Sequence, residues 1–75
     1  MSAEVGHRYL HYEGNEYTIL CLGRDRRTAE QVVIYQGNYT DPTYGENPIW
    51  TQSLDEFLSS VEHKGKRVPR FTRLG

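Results

Sequence analysis

The feature that most constrains the fold is a run of β-favouring residues that is apolar on both faces. Residues Tyr17 to Arg24 read Tyr-Thr-Ile-Leu-Cys-Leu-Gly-Arg, without the apolar–polar alternation of a strand that has one wet face. The run predicts a central strand in a closed or strongly curled sheet. Cys21, within it, is therefore interpreted as a small buried hydrophobe and not as a reactive thiol.

Four further segments carry the β-branched and aromatic residues typical of strands. Gly14-Asn15 predicts a tight turn before the central strand. Pro69, within the last segment, favours an edge position or a bulge. One long loop rich in turn residues, 37–48, interrupts the pattern. The predicted segments are Arg8–Tyr12, Gln31–Gln36, Ile49–Gln52 and Val68–Leu74.

A helix is predicted before the last strand. Ser53 to Glu56 match a capping box, in which the Ser53 hydroxyl accepts from the Glu56 backbone amide and the Glu56 carboxylate reaches back. We expect the helix to end near His63, with Gly65 as its left-handed terminator. The apolar stripe of this helix, at helical spacing, consists of Leu54, Phe57, Leu58 and Val61.

These elements predict one mainly β domain, residues 1–75, ordered from about residue 8 to residue 74. The expected architecture is a small SH3-like, partly open barrel or a strongly bent antiparallel sheet of about five strands, with one short helix before the last strand. An antiparallel sheet with the helix across one face is the alternative. A chain of 75 residues buries a small core, which leaves little room for a deep active site.

No segment has the character of a signal peptide or a membrane span. Glu4, His7 and Arg8 interrupt the N-terminal segment, and no apolar run approaches the roughly 20 residues that a transmembrane helix needs. We therefore expect a cytoplasmic protein without a membrane partner.

Charge is distributed unevenly along the chain. Residues 1–62 contain four arginines and all ten acidic residues, a balance of −6, whereas residues 63–75 contain five basic residues and no acid, a balance of +5. A basic end on an acidic body attracts a polyanion or neutralises the body's own acidic strands, and both interpretations stay open.

The sequence contains no recognisable catalytic or metal-binding pattern. There is no Gly-rich phosphate loop and no serine in a nucleophile-elbow context. Helix capping explains Asp55 and Glu56 better than acid–base chemistry does. His7 and His11 would lie about 13 Å apart on a strand, too far for a common metal ion, and His63 is interpreted as a helix-end charge. We expect no enzymatic activity, no cofactor and no metal.

Nine aromatic residues in so small a chain supply both core and surface. Helix and strand positions favour Phe57, Tyr17 and Tyr35 for the core. Aromatic loop residues near a basic final strand predict a shallow binding surface, although the loop tyrosines have the alternative role of fastening the loop to the barrel. The predicted binding residues are Tyr39, Tyr44, Trp50, Arg67, Arg70 and Arg73.

We therefore predict a non-enzymatic binding module. Its partner is a macromolecule, with nucleic acid and an extended peptide both open. The alternative is an assembly protein that self-associates through an edge strand or the aromatic loop. The expected oligomeric state is a monomer or a weak homodimer.

Ordered motifs also cover most of the chain, from about Tyr9 to Phe71. They resemble the bacterial family called domain of unknown function 1653, which implies a small single-domain protein or module without an established activity. The motifs are Tyr9-Leu10-His11-Tyr12-x-Gly14-x-x-Tyr17, Thr28-x-Glu30, Val32-Val33-x-Tyr35, Trp50, Phe57, Val61 and Gly65-x-x-x-Pro69-Arg70-Phe71.

Two features depart from the family's pattern. The family usually places an Arg-Pro pair after the tryptophan, whereas Thr51, Gln52 and Ser53 follow Trp50 here. Its middle loop is generally shorter than residues 37–48. A family contact made through that arginine would be altered in this chain by Gln52.

Overall fold

The computed structural model describes residues 3–74, and these form a mainly β fold. Five strands build one antiparallel sheet in the order β6-β3-β2-β1-β9, and two further hairpins, β4–β5 and β7–β8, stand beside it. The sheet is not closed, since its edge strands β6 and β9 do not pair with each other. The expected bent sheet or partly open barrel is confirmed. The elements are β1 Arg8–His11, β2 Glu16–Arg24, β3 Gln31–Gly37, β4 Thr40–Asp41, β5 Gly45–Glu46, β6 Ile49–Ser53, α1 Leu54–Phe57, β7 Ser60–His63, β8 Lys66–Pro69 and β9 Phe71–Arg73.

The predicted domain bounds extend to Met1, Ser2 and Gly75, which lie outside the described residues.

Strand β2 is central, but a β-bulge divides it. Ile19 pairs with Tyr35 and Cys21 pairs with Ile34, so Leu20 is the extra residue. Ile34 and Tyr35 point to opposite faces of the sheet, because successive side chains alternate. Cys21 therefore lies with Ile34 on the outer face, away from the core. The prediction that Cys21 is buried is wrong, since the bulge reverses the alternation and leaves this side chain exposed.

Most of the core is aromatic. The rings of Phe57 and Phe71 stack with centroids 4.1 Å apart, and Tyr35 meets Phe57 edge-on with centroids 5.7 Å apart. The predicted core positions Phe57, Tyr17 and Tyr35 are all buried and thus confirmed. The buried apolar residues among those described are Ala3, Tyr9, Tyr17, Ile19, Val33, Tyr35, Phe57 and Phe71.

Helix α1 is shorter than predicted. Ser53 is its N-cap and accepts a hydrogen bond from the Glu56 backbone amide at 3.2 Å, so the predicted start is confirmed. The helix ends at Phe57. The predicted continuation to Val61 is wrong, because Val61 lies in β7 and pairs with Val68 of β8.

Within residues 3–74, no helix has the length and apolar character needed to cross a bilayer.

A tight turn explains why a hairpin forms where a longer helix is predicted. Lys64 and Gly65 have φ values of 53° and 78°, and they connect the paired residues His63 and Lys66. Two successive positive φ values are those of a type I′ turn, whose twist matches that of antiparallel strands. Gly65 is thus a turn residue and not a helix terminator, and His63 lies in a strand and not at a helix end.

Two other segments have more structure than predicted. The predicted strand Val68–Leu74 divides at Arg70, because β8 ends at Pro69 in the hairpin with β7, whereas β9 pairs with β1. The predicted loop, residues 37–48, contains the short hairpin of β4 and β5. This hairpin brings the loop back against β6.

Candidate functional site

The three aromatic residues predicted to bind a partner lie together at β6, the strand that contains Trp50. We refer to Tyr39, Tyr44 and Trp50 as the aromatic cluster. Tyr44 meets Trp50 edge-on, with ring centroids 5.4 Å apart. Asp41 shapes the turn that carries Tyr44, because its Oδ1 accepts hydrogen bonds from the backbone amides of Thr43 at 2.8 Å and Tyr44 at 3.0 Å. Trp50 Nε1 donates to the Tyr39 hydroxyl at 3.2 Å.

Tyr39 is the fixed member of the aromatic cluster. Its hydroxyl also lies 3.2 Å from that of buried Tyr17. Its ring packs so closely on Gly37 that a Cβ added there would stand 2.5 Å from Tyr39 Cε1. Burial, with the hydrogen bond to Tyr39, raises the pKa of the Tyr17 hydroxyl above its usual value. Tyr39 thus has the alternative role considered above, since it fastens the loop to the sheet.

Tyr44 is the exposed member of the cluster. Its side chain lies at the loop tip and the residue is 66% exposed, while Trp50 is half-buried. Amphipathic rings with one wet side make good contact surfaces. The accessible aromatic surface therefore consists of Tyr44 and the outer part of Trp50, with Tyr39 holding them in place.

Arg70 is engaged at the C-terminal end of α1. Its Nε donates to the backbone oxygen of Glu56 at 3.1 Å and to Ser59 Oγ at 3.2 Å. A polar chain leads from there into the core face of the sheet: Gln52 Nε2 donates to Glu56 Oε1 at 2.6 Å, and the Tyr35 hydroxyl donates to Gln52 Oε1 at 3.1 Å. Arg70 is therefore part of the packing of α1.

The pKa of the Tyr35 hydroxyl is raised by its surroundings in the core. Burial is the main cause that raises the pKa of Tyr35; neighbouring Tyr39 and the Glu56 carboxylate raise it further, and the positive charge of Arg70 lowers it.

The other two predicted arginines lie elsewhere. Arg73 is in β9, at the opposite edge of the sheet from β6, where its Nη1 donates to Glu4 Oε1 at 2.5 Å and its Nη2 donates to His7 Nδ1 at 2.9 Å. Arg67 is exposed in the β7–β8 hairpin, opposite Glu62. Arg73 thus partly neutralises the acidic body, in line with the second interpretation of the charge asymmetry.

His11 is a half-buried histidine that lies against the aromatic core. Its side chain is 17% exposed, and its ring meets Phe71 edge-on with centroids 5.0 Å apart. Its Nδ1 accepts a hydrogen bond from the Glu13 backbone amide at 3.1 Å. Burial lowers the pKa of His11; the Glu13 carboxylate opposes this shift and the charge of Arg70 adds to it.

Comparison with known proteins assigns the chain to a family. The family model described as a protein of unknown function, DUF1653, matches residues 7–73. The chain belongs to the DUF1653 family. The crystal structure of a DUF1653 protein from Bordetella bronchiseptica matches with a TM-score of 0.82 and 30% sequence identity, over 96% of this chain and 88% of that one. No curated protein matches the chain.

The resemblance inferred from the motifs is therefore confirmed, and the departure at Gln52 has a structural context. In this DUF1653 chain the Gln52 amide accepts from Tyr35 and donates to Glu56, so an uncharged side chain satisfies both neighbours.

Among residues 3–74, no three His, Cys, Asp or Glu side chains are grouped so that they could hold a metal ion.

The sequence of this DUF1653 domain did not indicate which backbone groups of β6 face its partner strand β3 and which face away from it. Gly37 donates its N–H to the Pro48 oxygen at 2.8 Å, and Tyr35 pairs with Trp50 two residues further along. Hydrogen-bonded and non-bonded pairs alternate along antiparallel strands, so Trp50 turns its backbone groups inward, to β3.

The intervening residues Ile49 and Thr51 turn their backbone N–H and C=O groups outward. Both residues are exposed, Ile49 to 54%. In the described part of the chain, β3 pairs with the inner side of β6 and no strand pairs with its outer side. This outer edge is a template for an added strand. The sequence predicts the strand but not its place, because sequence order does not fix the order of strands in a sheet.

Acidic residues flank this edge in the sequence. Asp41 and Glu46 lie in the hairpin that precedes β6, and Asp55 and Glu56 lie in α1, which follows it. Three of the four are exposed, and Asp41 is half-buried. The elements directly before and after β6 in the chain therefore carry four acidic residues, while Arg70 contacts the backbone of α1.

Proposed function

We propose that this domain is a non-enzymatic module that binds an extended peptide by adding it as a strand to the outer edge of β6. The proposal rests on the outward-facing backbone N–H and C=O groups of Ile49 and Thr51. In this mode of recognition, main-chain hydrogen bonds give affinity and side-chain contacts at alternate positions give specificity.

The aromatic cluster supports the same function. Tyr44 and Trp50 adjoin the edge, and the hydrogen bond from Trp50 to Tyr39 fixes their position before a ligand arrives. A preorganised contact surface loses less conformational entropy on binding than a mobile one. The cluster therefore supplies side-chain contacts for residues of the added strand.

The charges favour a basic peptide over a nucleic acid. Phosphate groups at this edge would face the acidic residues around β6, while Arg73 already pairs with Glu4. Lys or Arg side chains at alternate positions of a peptide match the same acidic residues. Nucleic acid, the other predicted partner class, thus becomes one outcome of the test.

Self-association is a second candidate function, because the same open edge can pair with its copy. Antiparallel pairing of two β6 strands about Thr51 would join two five-stranded sheets into one. The exposed side chain of Ile49 would then be covered in part by the partner strand. Sedimentation of the protein over a range of concentrations tests this candidate.

The primary experiment follows backbone amide signals by NMR while a ligand is added. The probes are an acetylated and amidated heptapeptide of alternating lysine and valine, its glutamate counterpart, and mixed short single-stranded RNA and DNA at low and high salt. We expect the lysine peptide to shift the signals of residues 44 and 49–53 and the glutamate peptide to shift them far less. Salt-sensitive shifts with the oligonucleotides alone would instead assign a nucleic-acid partner.

Two matched variants separate edge pairing from other contacts. Thr51→Pro removes the outward N–H at a position where an edge strand tolerates proline, whereas Thr51→Val retains the N–H. We expect the peptide-induced shifts to disappear in Thr51→Pro and to persist in Thr51→Val, with circular dichroism confirming that both fold. Equal binding by both variants would contradict strand addition.

A further inference from the structure

A second candidate site lies at the other edge of the sheet. A cavity of about 310 Å³ is lined by residues of β1, α1 and β9 and of the segments next to them. Its innermost lining is aromatic, since Tyr9, Phe57 and Phe71 are 5%, 2% and 6% exposed. Leu58 and Pro69 add apolar walls nearer to solvent. The size is at the lower end for ligand pockets, which suits a small molecule with one apolar group.

Two opposite charges stand at the mouth of this cavity. Arg73 Nη1 donates to Glu4 Oε1 at 2.5 Å, and both side chains are 45% exposed. Arg73 Nη2 donates to His7 Nδ1 at 2.9 Å, and Glu4 Oε2 lies 3.8 Å from His7 Nε2. The Arg73 Nε–H makes no hydrogen bond with another described residue. A positive and a negative group are therefore both within reach of a ligand that enters here.

The Tyr9 hydroxyl adds a donor to the same cavity. It accepts a hydrogen bond from the Glu4 backbone amide at 3.1 Å. A phenol both accepts and donates, and no residue in the described range 3–74 accepts the proton of this one. Tyr9 also lies directly opposite Arg73 across the β1–β9 pair. The cavity thus combines an apolar interior with two donors and one carboxylate at one end.

We propose that this cavity binds a free apolar α-amino acid in its zwitterionic form. The aromatic interior receives the apolar side chain, Arg73 and the Tyr9 hydroxyl receive the carboxylate, and Glu4 receives the ammonium group. A zwitterion offers a partner of opposite charge to each member of the Arg73–Glu4 ion pair. A simple carboxylate would compete with Glu4 for Arg73, and a simple amine would compete with Arg73 for Glu4. The site is independent of the proposed peptide edge, since β6 and β9 are opposite edges of the sheet.

The experiment titrates the labelled protein with L-phenylalanine and L-leucine and follows amide signals by NMR. The matched probes are N-acetyl-L-phenylalanine, which lacks the ammonium group, and phenethylamine, which lacks the carboxylate. We expect the amino acids to shift signals of Tyr9, Phe57, Leu58 and Phe71 and to bind at least about tenfold more tightly than either probe. Equal affinity of the two probes and L-phenylalanine would overturn the proposal, as would an absence of shifts at millimolar amino acid.

Variants locate the binding within the cavity. Leu58→Trp places a larger ring at the partly exposed wall and is expected to abolish binding, whereas Leu22→Trp, at a similarly exposed leucine outside the cavity, is the control. Arg73→Gln and Glu4→Gln should each weaken L-phenylalanine binding by about tenfold or more. Unchanged affinity in all three cavity variants would assign the signal changes to another surface.

Discussion

Tyr39 and Trp50 are joined by a hydrogen bond from the indole Nε1 to the phenol oxygen at 3.2 Å, and the same oxygen lies 3.2 Å from the hydroxyl of Tyr17. One side chain of the loop thereby connects the core to the edge strand β6. The position of the aromatic cluster is thus a consequence of core packing, which makes it sensitive to single substitutions.

Replacing Tyr39 by Phe should lower the free energy of unfolding by about 1–2 kcal/mol, because Trp50 Nε1 and the Tyr17 hydroxyl lose a partner while the ring remains. Urea denaturation followed by tryptophan fluorescence measures this, since Trp50 is the one tryptophan of the chain. The control, Tyr44→Phe, changes an exposed ring and should alter stability by less than about 0.5 kcal/mol. Equal effects of the two variants would argue against a fastening role of the Tyr39 hydroxyl.

Gly37→Ala should destabilise the fold by about 1–3 kcal/mol through overpacking, because the new methyl group would stand 2.5 Å from the Tyr39 ring. Gly23→Ala is the matched control within the same sheet, since its nearest contact would be Ile34 Cδ1 at an ordinary 3.5 Å. In a Tyr39→Ala background the penalty of Gly37→Ala should largely vanish. A penalty of the same size in both backgrounds would place the strain elsewhere.

The turn at Lys64 and Gly65 predicts opposite effects at two neighbouring residues. Gly65→Ala should destabilise the protein by about 1 kcal/mol, because a φ of 78° is unfavourable for a residue with a Cβ. Lys64→Asn should be neutral or stabilising by a few tenths of a kcal/mol, since Asn tolerates the left-handed region. Thermal denaturation of both variants checks the pair. A clear loss of stability in Lys64→Asn would contradict the type I′ turn.

Stability should depend on pH through His11. Its pKa is lowered in the folded state relative to the usual 6.5, so the unfolded chain takes up the proton first. The free energy of unfolding should therefore decrease as the pH falls from above 6.5 toward the folded pKa, and His11→Gln should remove this component. An NMR titration of the His11 ring proton measures the folded pKa directly. A value at or above 6.5 would contradict the burial argument.

Local patterns predicted the strands of the five-stranded sheet well, because the residue preferences of a strand are visible in consecutive residues. The β-favouring runs placed β1, β2, β3 and β6 within a few residues, and the positions of Tyr17, Tyr35 and Phe57 identified a large part of the core. The Ser53 cap was equally local, since it depends on a hydroxyl three residues before an amide.

Other features depend on pairing between residues that are distant in the sequence, and local patterns did not predict them. The spacing of Leu54, Phe57, Leu58 and Val61 fits a helix, yet pairing of Val61 with Val68 across the type I′ turn gives a hairpin instead. The β2 run is apolar on both faces, so its pattern gave no sign of the bulge at Leu20. The open edge of β6 and the cavity beside β9 arise from strand order, which depends on contacts between distant parts of the chain.

The bulge at Leu20 also creates an exposed site for a spectroscopic label. It turns the sulfhydryl group of Cys21, the one cysteine of the chain, to solvent on the outer face of the sheet. A nitroxide attached there leaves the aromatic cluster and the cavity untouched. A peptide strand added beyond β6 would lie three interstrand spacings from β2, about 14 Å, well within the range of paramagnetic broadening. A wild-type chain, labelled once, can therefore report the direction and register of whatever strand it takes up.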